Sequence, residues 1–226
     1  MEPVNDTAPE RIGIYGGTFD PIHVGHVQVA SAICEAFALD RFLFVPAFIP
    51  PHKRGRRISA PHHRYAMAVL ATLAHPNMSV STIELEAPTR PYTIETLQAL
   101  QTLHPKAKLF FVMGGDSFAE VHLWRAYEQL LTEFNIIVAG RPNADSFTLQ
   151  YLTPLCRQRV VDLRASKRPE LSQGDEVHVF LTDYVAVDVS ATQVRSAVQD
   201  GLSIETLVTS EVASYIQKYE LYRNDN

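Results

Sequence analysis

The sequence predicts an α/β fold: a doubly wound, mostly parallel sheet with helices on both faces. Apolar runs alternate with amphipathic helical patterns from one end of the chain to the other, as βαβ units require. Several of those runs are continuously apolar rather than alternating, as in strands covered on both faces. The composition agrees, with 46% hydrophobic and 20% charged residues over 226 positions. This is an ordinary globular mix and excludes disordered, collagen-like and coiled-coil chains.

Residues 1–10 are polar and proline-containing and are expected to form a flexible tail, leaving 11–226 as one domain. The first strand is the apolar run Ile12-Gly13-Ile14-Tyr15, which ends at Gly16-Gly17. A helix follows with Val27, Ala30, Ile33 and Phe37 on one stripe. Phe42 to Val45 is the next strand, closed by Pro46. After a basic loop, Ser59 is expected to cap a helix with Pro61 in its first turn, burying Met67, Leu70 and Leu73-Ala74. Ser79 to Ile83 alternates like a strand. Thr93 is expected to cap a helix carrying Ile94, Leu97, Leu100 and Leu103. Leu109 to Val112 reads as a buried strand. Ser117-x-x-Glu120 reads as a capping box opening a helix through Leu131. Phe134 to Ala139 and Val177 to Leu181 are further strands, separated by a polar stretch from about Arg164 to Gly174 that is expected to be an exposed loop. Ser190 caps a helix carrying Val194 and Val198, and a last helix aligns Val212, Ile216 and Tyr219.

Charge and cysteine content limit the function. The formal net charge of −5 implies no general affinity for nucleic acid or for anionic membranes, so any anion site is a local concentration of donors. Cys34 and Cys156 are too few for a disulfide scaffold and read as buried thiols of a reducing compartment. The first residues lack the apolar run of a signal peptide, and no stretch reaches the ~20 apolar residues of a membrane helix. A soluble, cytoplasmic protein is expected. The sequence assigns no oligomeric state.

The chemistry concentrates in the turn after the first strand, Gly16-Gly17-Thr18-Phe19-Asp20-Pro21-Ile22-His23-Val24-Gly25-His26. Two glycines let backbone approach a ligand closely, and the helix that follows offers free N–H groups and a positive dipole end. This is a place for phosphate oxygens, although neither a Walker loop nor a GxGxxG fingerprint is present. His23 and His26, three residues apart, share a face on a helical first turn. Gly25 between them leaves room for a bulky group. A lone histidine pair on a helix is more often surface decoration. Here the strand before, the doubled glycine and the helix after favour two imidazoles donating to a polyphosphate.

This string resembles the signature of the HxGH nucleotidyltransferase superfamily, and within it is most similar to the bacterial nicotinate-nucleotide adenylyltransferases. The resemblance runs over about residues 12–222, with further motifs in the family's order. Pro50-Pro51-His52-Lys53 resembles the loop that contacts the mononucleotide phosphate, implying His52 and Lys53 as an anion clamp. Arg90-Pro91-Tyr92-Thr93-Ile94-Glu95-Thr96-Leu97 resembles the segment around the nicotinate carboxylate, implying Tyr92 and Thr93. Glu95 stands where aspartate is commoner. Gly114-Gly115-Asp116 resembles the family's Gly-x-Asp turn, with Trp124 at the expected spacing to stack on a pyridine ring. Val189-Ser190-Ala191-Thr192-Gln193-Val194-Arg195 resembles the family's C-terminal phosphate motif, with Ala191 and Val194 as departures.

The resemblance implies a Rossmann-like nucleotidyltransferase that moves AMP from ATP to nicotinate mononucleotide, giving deamido-NAD and pyrophosphate. The implied catalytic residues are His23, His26, Ser190 and Arg195; Gly16, Gly17, Thr18, Phe19, Gly25 and Thr192 would bind ATP. His52, Lys53, Tyr92, Thr93, Asp116 and Trp124 would bind the mononucleotide. Mg²⁺ would be held mainly by the ATP phosphates, with no protein ligand. Nicotinamide mononucleotide and a pantetheine phosphate stand as alternative acceptors.

Overall fold

In the computed structural model, residues 8–48, 58–140, 149–164, 169, 176–184 and 189–223 are described. The expected tail up to residue 7, the anion clamp His52-Lys53 and most of the polar stretch after Arg164 lie outside them.

The strands are β1 (Arg11–Gly17), β2 (Arg41–Pro46), β3 (Met78–Val80), β4 (Lys108–Gly114), β5 (Asn135–Ala139), β6 (Val160–Asp162) and β7 (Val179–Thr182). They form one seven-stranded sheet in the order β3-β2-β1-β4-β5-β7-β6. Each pairing is parallel. The chain runs outward from β1 to β3, then returns to place β4 on the other side of β1. This makes β1/β4 the point where the winding reverses, and ligands of such sheets bind beyond the carboxyl ends of the strands there.

Strand alternation divides the core into two layers. Phe42, Phe44, Phe110, Val112 and Ile137 face α1 (Val24–Phe37), α2 (Pro61–Thr72), α7 (Ala191–Gln199) and α8 (Ser210–Lys218). Ile12, Ile14, Leu43, Phe111 and Ile136 face α3 (Thr93–Leu103), α4 (Gly115–Ala119), α5 (Tyr127–Glu133) and α6 (Pro154–Arg157). The doubly wound expectation therefore holds, helices on both faces included. Gly13 marks the tightest point of the sheet, since a Cβ there would meet Phe42 Cδ2 at 2.5 Å.

Several local expectations need correction. Ala60 rather than Ser59 precedes α2, and α2 stops at Thr72, leaving Leu73 65% exposed. Tyr92 is the N-cap of α3 and Thr93 its first residue; Glu95 accepts from the Tyr92 N–H at 2.9 Å, which gives the longer acid a capping role. Leu103, Tyr219 and Leu73 continue the periodic stripes but sit at the C-terminal ends of their helices, and all are exposed. The single helix expected from Ser117 to Leu131 is broken into α4, a 3₁₀ turn (Val121–Leu123) and α5. Gly114 rather than Ser117 is the N-cap of α4, so the expected capping box does not form; Trp124 is extended and Ala126, at φ +52, is left-handed, and neither conformation continues a right-handed helix. β6 was not foreseen; three residues at a sheet edge carry too short a pattern to read.

Candidate active site

The turn from β1 into α1 is packed from below. Phe19 adopts φ +48, and its ring turns inward, so a Cβ on Gly17 would meet it at 2.7 Å. The bare backbone of Gly17 is what allows Phe19 beneath it. That ring then meets His26 edge-on at 5.1 Å between centroids, and Tyr15 meets His26 at 5.8 Å. Phe19 is 3% exposed, so its aromatic face is turned into the core.

His23 is the N-cap of α1, and its ring stacks on that of His26 with centroids 3.7 Å apart. The His23 backbone N–H donates to His26 Nδ1 at 3.2 Å. An accepting Nδ1 carries no proton, so the neutral ring carries its proton on Nε2 as a donor. His23 is nearly buried, and burial lowers its pKa from 6.5 to about 4. Its Nδ1 has no hydrogen-bond partner among the described residues. A buried polar atom without a partner calls for an explanation, and a ligand is one.

The His23 shift has a measurable consequence. The folded pKa lies below the unfolded one, so the unfolded chain takes up the proton first as the solution is acidified. The stability of burying the neutral ring is complete above about 6.5 and is lost as pH falls towards about 4. Chemical denaturation from pH 7 to 4 should show the wild type losing on the order of 3 kcal/mol more than His23→Gln. Parallel pH profiles would contradict this.

The C-terminal motif reaches the same turn. Ser190 caps α7, with Ser190 Oγ accepting from the Gln193 N–H at 3.2 Å and Gln193 Oε1 accepting from the Ser190 N–H at 2.6 Å. Since Oγ accepts, the hydroxyl proton of Ser190 stays available for an anion. Arg195 Nη1 donates to the Asp20 carbonyl at 2.7 Å, and Nη2 donates to Thr192 Oγ1 at 3.1 Å. The structure thus joins Arg195 and Thr192 to the histidine turn. Gly25 is buried within α1 between the two histidines.

On the α3 side of the sheet edge a cavity of about 310 Å³ opens. Gly16, Gly17 and Thr18 form one wall, Val45 and Ala47 another, and Tyr92, Thr93 and Thr96 at the start of α3 a third. Trp124 lines it as expected. Asp116 does not; it is exposed in the first turn of α4, and Ser117 lines the cavity instead. Arg125 lies over the Tyr92 ring at 4.9 Å. Glu84 and Arg90 also line the cavity. Burial raises the Glu84 pKa, opposed by the Thr96 hydroxyl that donates to it at 2.9 Å, by Arg90, by the Phe48 backbone N–H and by Arg64.

Sequence reasoning missed four contributors. Asp20 is 3% exposed and accepts from the Tyr222 hydroxyl at 2.7 Å, which fastens the C-terminal segment under the turn. Glu84 and Tyr222 carried no local pattern. Arg64 did: it precedes Met67, Ala68 and Ala71 by three, four and seven residues, the spacing of a buried stripe.

The cytidylyltransferase-like family profile matches residues 14–197. A relative from Desulfitobacterium hafniense (strain Y51), carrying the name "Probable nicotinate-nucleotide adenylyltransferase", is 38% identical over 215 residues, covering 95% of this chain and 97% of its own. One of the same name from Geobacter sulfurreducens is 35% identical over 216 residues, covering 95% of this chain and 99% of its own. The chain belongs to the cytidylyltransferase-like family, among the nicotinate-nucleotide adenylyltransferases. Solved structures of the Plasmodium falciparum nicotinic acid mononucleotide adenylyltransferase, complexed with APC and with NaAD, share its fold at a TM-score of 0.66. They are 20% identical and cover 94% of this chain and 97% of theirs. Among the described residues no helix is long and apolar enough to cross a membrane.

Proposed function

We propose that this chain is an enzyme of NAD biosynthesis that transfers AMP from ATP to nicotinate mononucleotide, releasing pyrophosphate and giving deamido-NAD. One observation carries the reading. Gly16, Gly17 and Thr18 line the acceptor cavity and also form the turn that leads to His23 and His26. Two substrates that react directly need subsites sharing a wall, and this backbone is that wall. The curated relatives supply the names of the substrates.

The attacking group is a phosphate monoester oxygen, already a competent nucleophile, so no general base is needed. The new O–P bond forms at the α-phosphorus as the bond to pyrophosphate breaks, in line. Alignment and charge neutralisation remain for the protein. His26 Nε2–H and His23 face the α- and β-phosphate oxygens. Ser190 and Arg195 receive the departing pyrophosphate, with Thr192 and the Asp20 carbonyl fixing the guanidinium. Thr18, Gly16, Gly17, Phe19 and Gly25 serve ATP through backbone. Tyr92, Thr93 and Trp124 hold the pyridine nucleotide, with His52 and Lys53 for its phosphate; Asp116, outside the cavity lining, is given no contact with it.

The acid form of the acceptor fits best. Arg90 and Arg125 bring two guanidinium groups to the cavity, whereas Glu84 brings one carboxylate already committed to Thr96. ATP enters as its Mg²⁺ complex, the ion carried mainly by the phosphates. Two buried free cysteines, Cys34 and Cys156, suit the reducing cytoplasm.

The test is pyrophosphate release from ATP with a panel of acceptors at equal concentration. Nicotinate mononucleotide should exceed nicotinamide mononucleotide by ~10-fold or more in kcat/KM, the size of one charge-assisted contact. A preference for the amide, or for a pantetheine phosphate, would replace the acceptor named here.

A further inference from the structure

We infer that Arg64 is a positioning residue that locks the phosphate turn and the acceptor wall into one unit. The inference rests on the adenylyl-transfer reading and extends it to a residue that does not itself line the cavity but bonds the backbone that does.

Arg64 is 1% exposed, the largest fully buried side chain of the described residues. Its guanidinium divides three ways. Nε donates to the Ser59 carbonyl at 3.0 Å, Nη1 to the Thr18 carbonyl at 2.8 Å, and Nη2 to the Phe48 carbonyl at 3.0 Å. Thr18 belongs to the turn between β1 and α1 and lines the acceptor cavity. Phe48 lies two residues beyond β2, next to Ala47, which lines the facing wall. These carbonyls belong to irregular backbone, and Arg64 supplies the donors that buried carbonyls need.

Burial lowers the Arg64 pKa, and the Asp20 carboxylate in the histidine turn, the Tyr222 hydroxyl and the Glu84 carboxylate in the cavity oppose it and favour the charge. Asp20 also takes the Ser59 N–H at 3.4 Å. The Phe48 N–H favours the Glu84 carboxylate while its carbonyl accepts from Arg64, so the Phe48 backbone is held at both its N–H and its C=O. Acid and base alternate from Asp20 through Arg64 and Glu84 to Arg90. A leucine or methionine would fill the same stripe beside Met67 and Ala68 without the desolvation of a cation. What an apolar residue would not supply is a planar fork holding three loops at fixed distances.

The experiment compares wild type with Arg64→Lys and Arg64→Gln, assayed well below the melting temperature of each and normalised to folded protein. Lysine keeps the charge but presents its donors from one point, so it does not span the three carbonyls. Arg64→Lys should lower kcat by ~10- to 100-fold while both KM values stay within about 3-fold, because misalignment acts on the transition state. In Arg64→Ala, ethylguanidinium should restore at least about 10-fold of the lost kcat, and ethylammonium at equal ionic strength should not. Amide exchange should rise together at residues 17–19 and 47–48 in Arg64→Lys, with α8 unchanged.

Wild-type kcat per folded molecule in Arg64→Lys would overturn the inference, as would exchange that rises only at the start of α2. Were Arg64→Ala not to fold, the lysine and glutamine variants carry the decision. If the wild type uses another acceptor, the same variants are measured with that one. If it turns over none, the exchange experiment still decides on Arg64, so the two readings fail separately.

Discussion

His26→Ala should lower kcat/KM for adenylyl transfer by ~10²-fold or more, the cost of removing one preorganised donor from a site of developing charge. The ring is oriented before any substrate arrives. His23 stacks on it, Phe19 and Tyr15 meet its edge, and the His23 N–H holds Nδ1 as an acceptor. Nothing needs to reorganise for Nε2–H to meet a phosphate oxygen, and that is the condition under which a hydrogen bond serves catalysis most. Alanine also removes the acceptor for the His23 N–H at the N-terminus of α1, a loss on the order of 1 kcal/mol in stability. His26→Asn separates the two effects. Its short amide can accept the N–H in place of Nδ1 but presents no donor at the position of Nε2. Stability should recover in the asparagine variant while steady-state turnover stays low. Near-normal turnover in either variant would remove His26 from the chemistry.

Much of this site was legible because it is written locally. Gly16-Gly17, His23 and His26 fall within eleven residues after a strand, where one turn must bring them together. Ser190 and Arg195 share the first turns of one helix, and Ser190 caps it as expected. The alternation of continuous apolar runs with helical stripes fixes a doubly wound sheet, because only a covered strand tolerates apolar residues on both faces. What escaped is of two kinds. Helix limits near Thr72 and Ala126 escape periodicity, which reports neither where a helix stops nor a left-handed residue. The supporting polar groups are set by long-range contact. Tyr222 reaches Asp20 across 202 positions, and Arg64 reaches Thr18 across 46. No local pattern encodes such a pairing. Arg64 alone left a trace, a cation on an otherwise apolar stripe, and a buried charge at such a place signals a structural duty.

Arg195→Ala should lower kcat/KM for ATP by ~10²- to 10³-fold and weaken product inhibition by pyrophosphate, since a guanidinium donates to phosphate in pairs and neutralises charge. Its position is set by two bonds that leave other N–H groups for the ligand. Nη1 is spent on the Asp20 carbonyl and Nη2 on Thr192 Oγ1. The first bond joins residues 175 positions apart, so the arginine is registered against the histidine turn as well as against its own helix. Val194, its neighbour, is fully buried and seats α7 on the core, which keeps the helix in place when the arginine is cut back. The alanine variant should therefore melt close to the wild type, and the loss should appear in rate. Arg195→Lys tests geometry against charge. An ammonium supplies the charge but lacks the fork that bonds Asp20, Thr192 and an anion together. Recovery of less than about a tenth of wild-type activity with lysine is expected on that account. Full recovery would mean that charge alone suffices, and a pyrophosphate inhibition constant unchanged in Arg195→Ala would take the leaving group away from this residue.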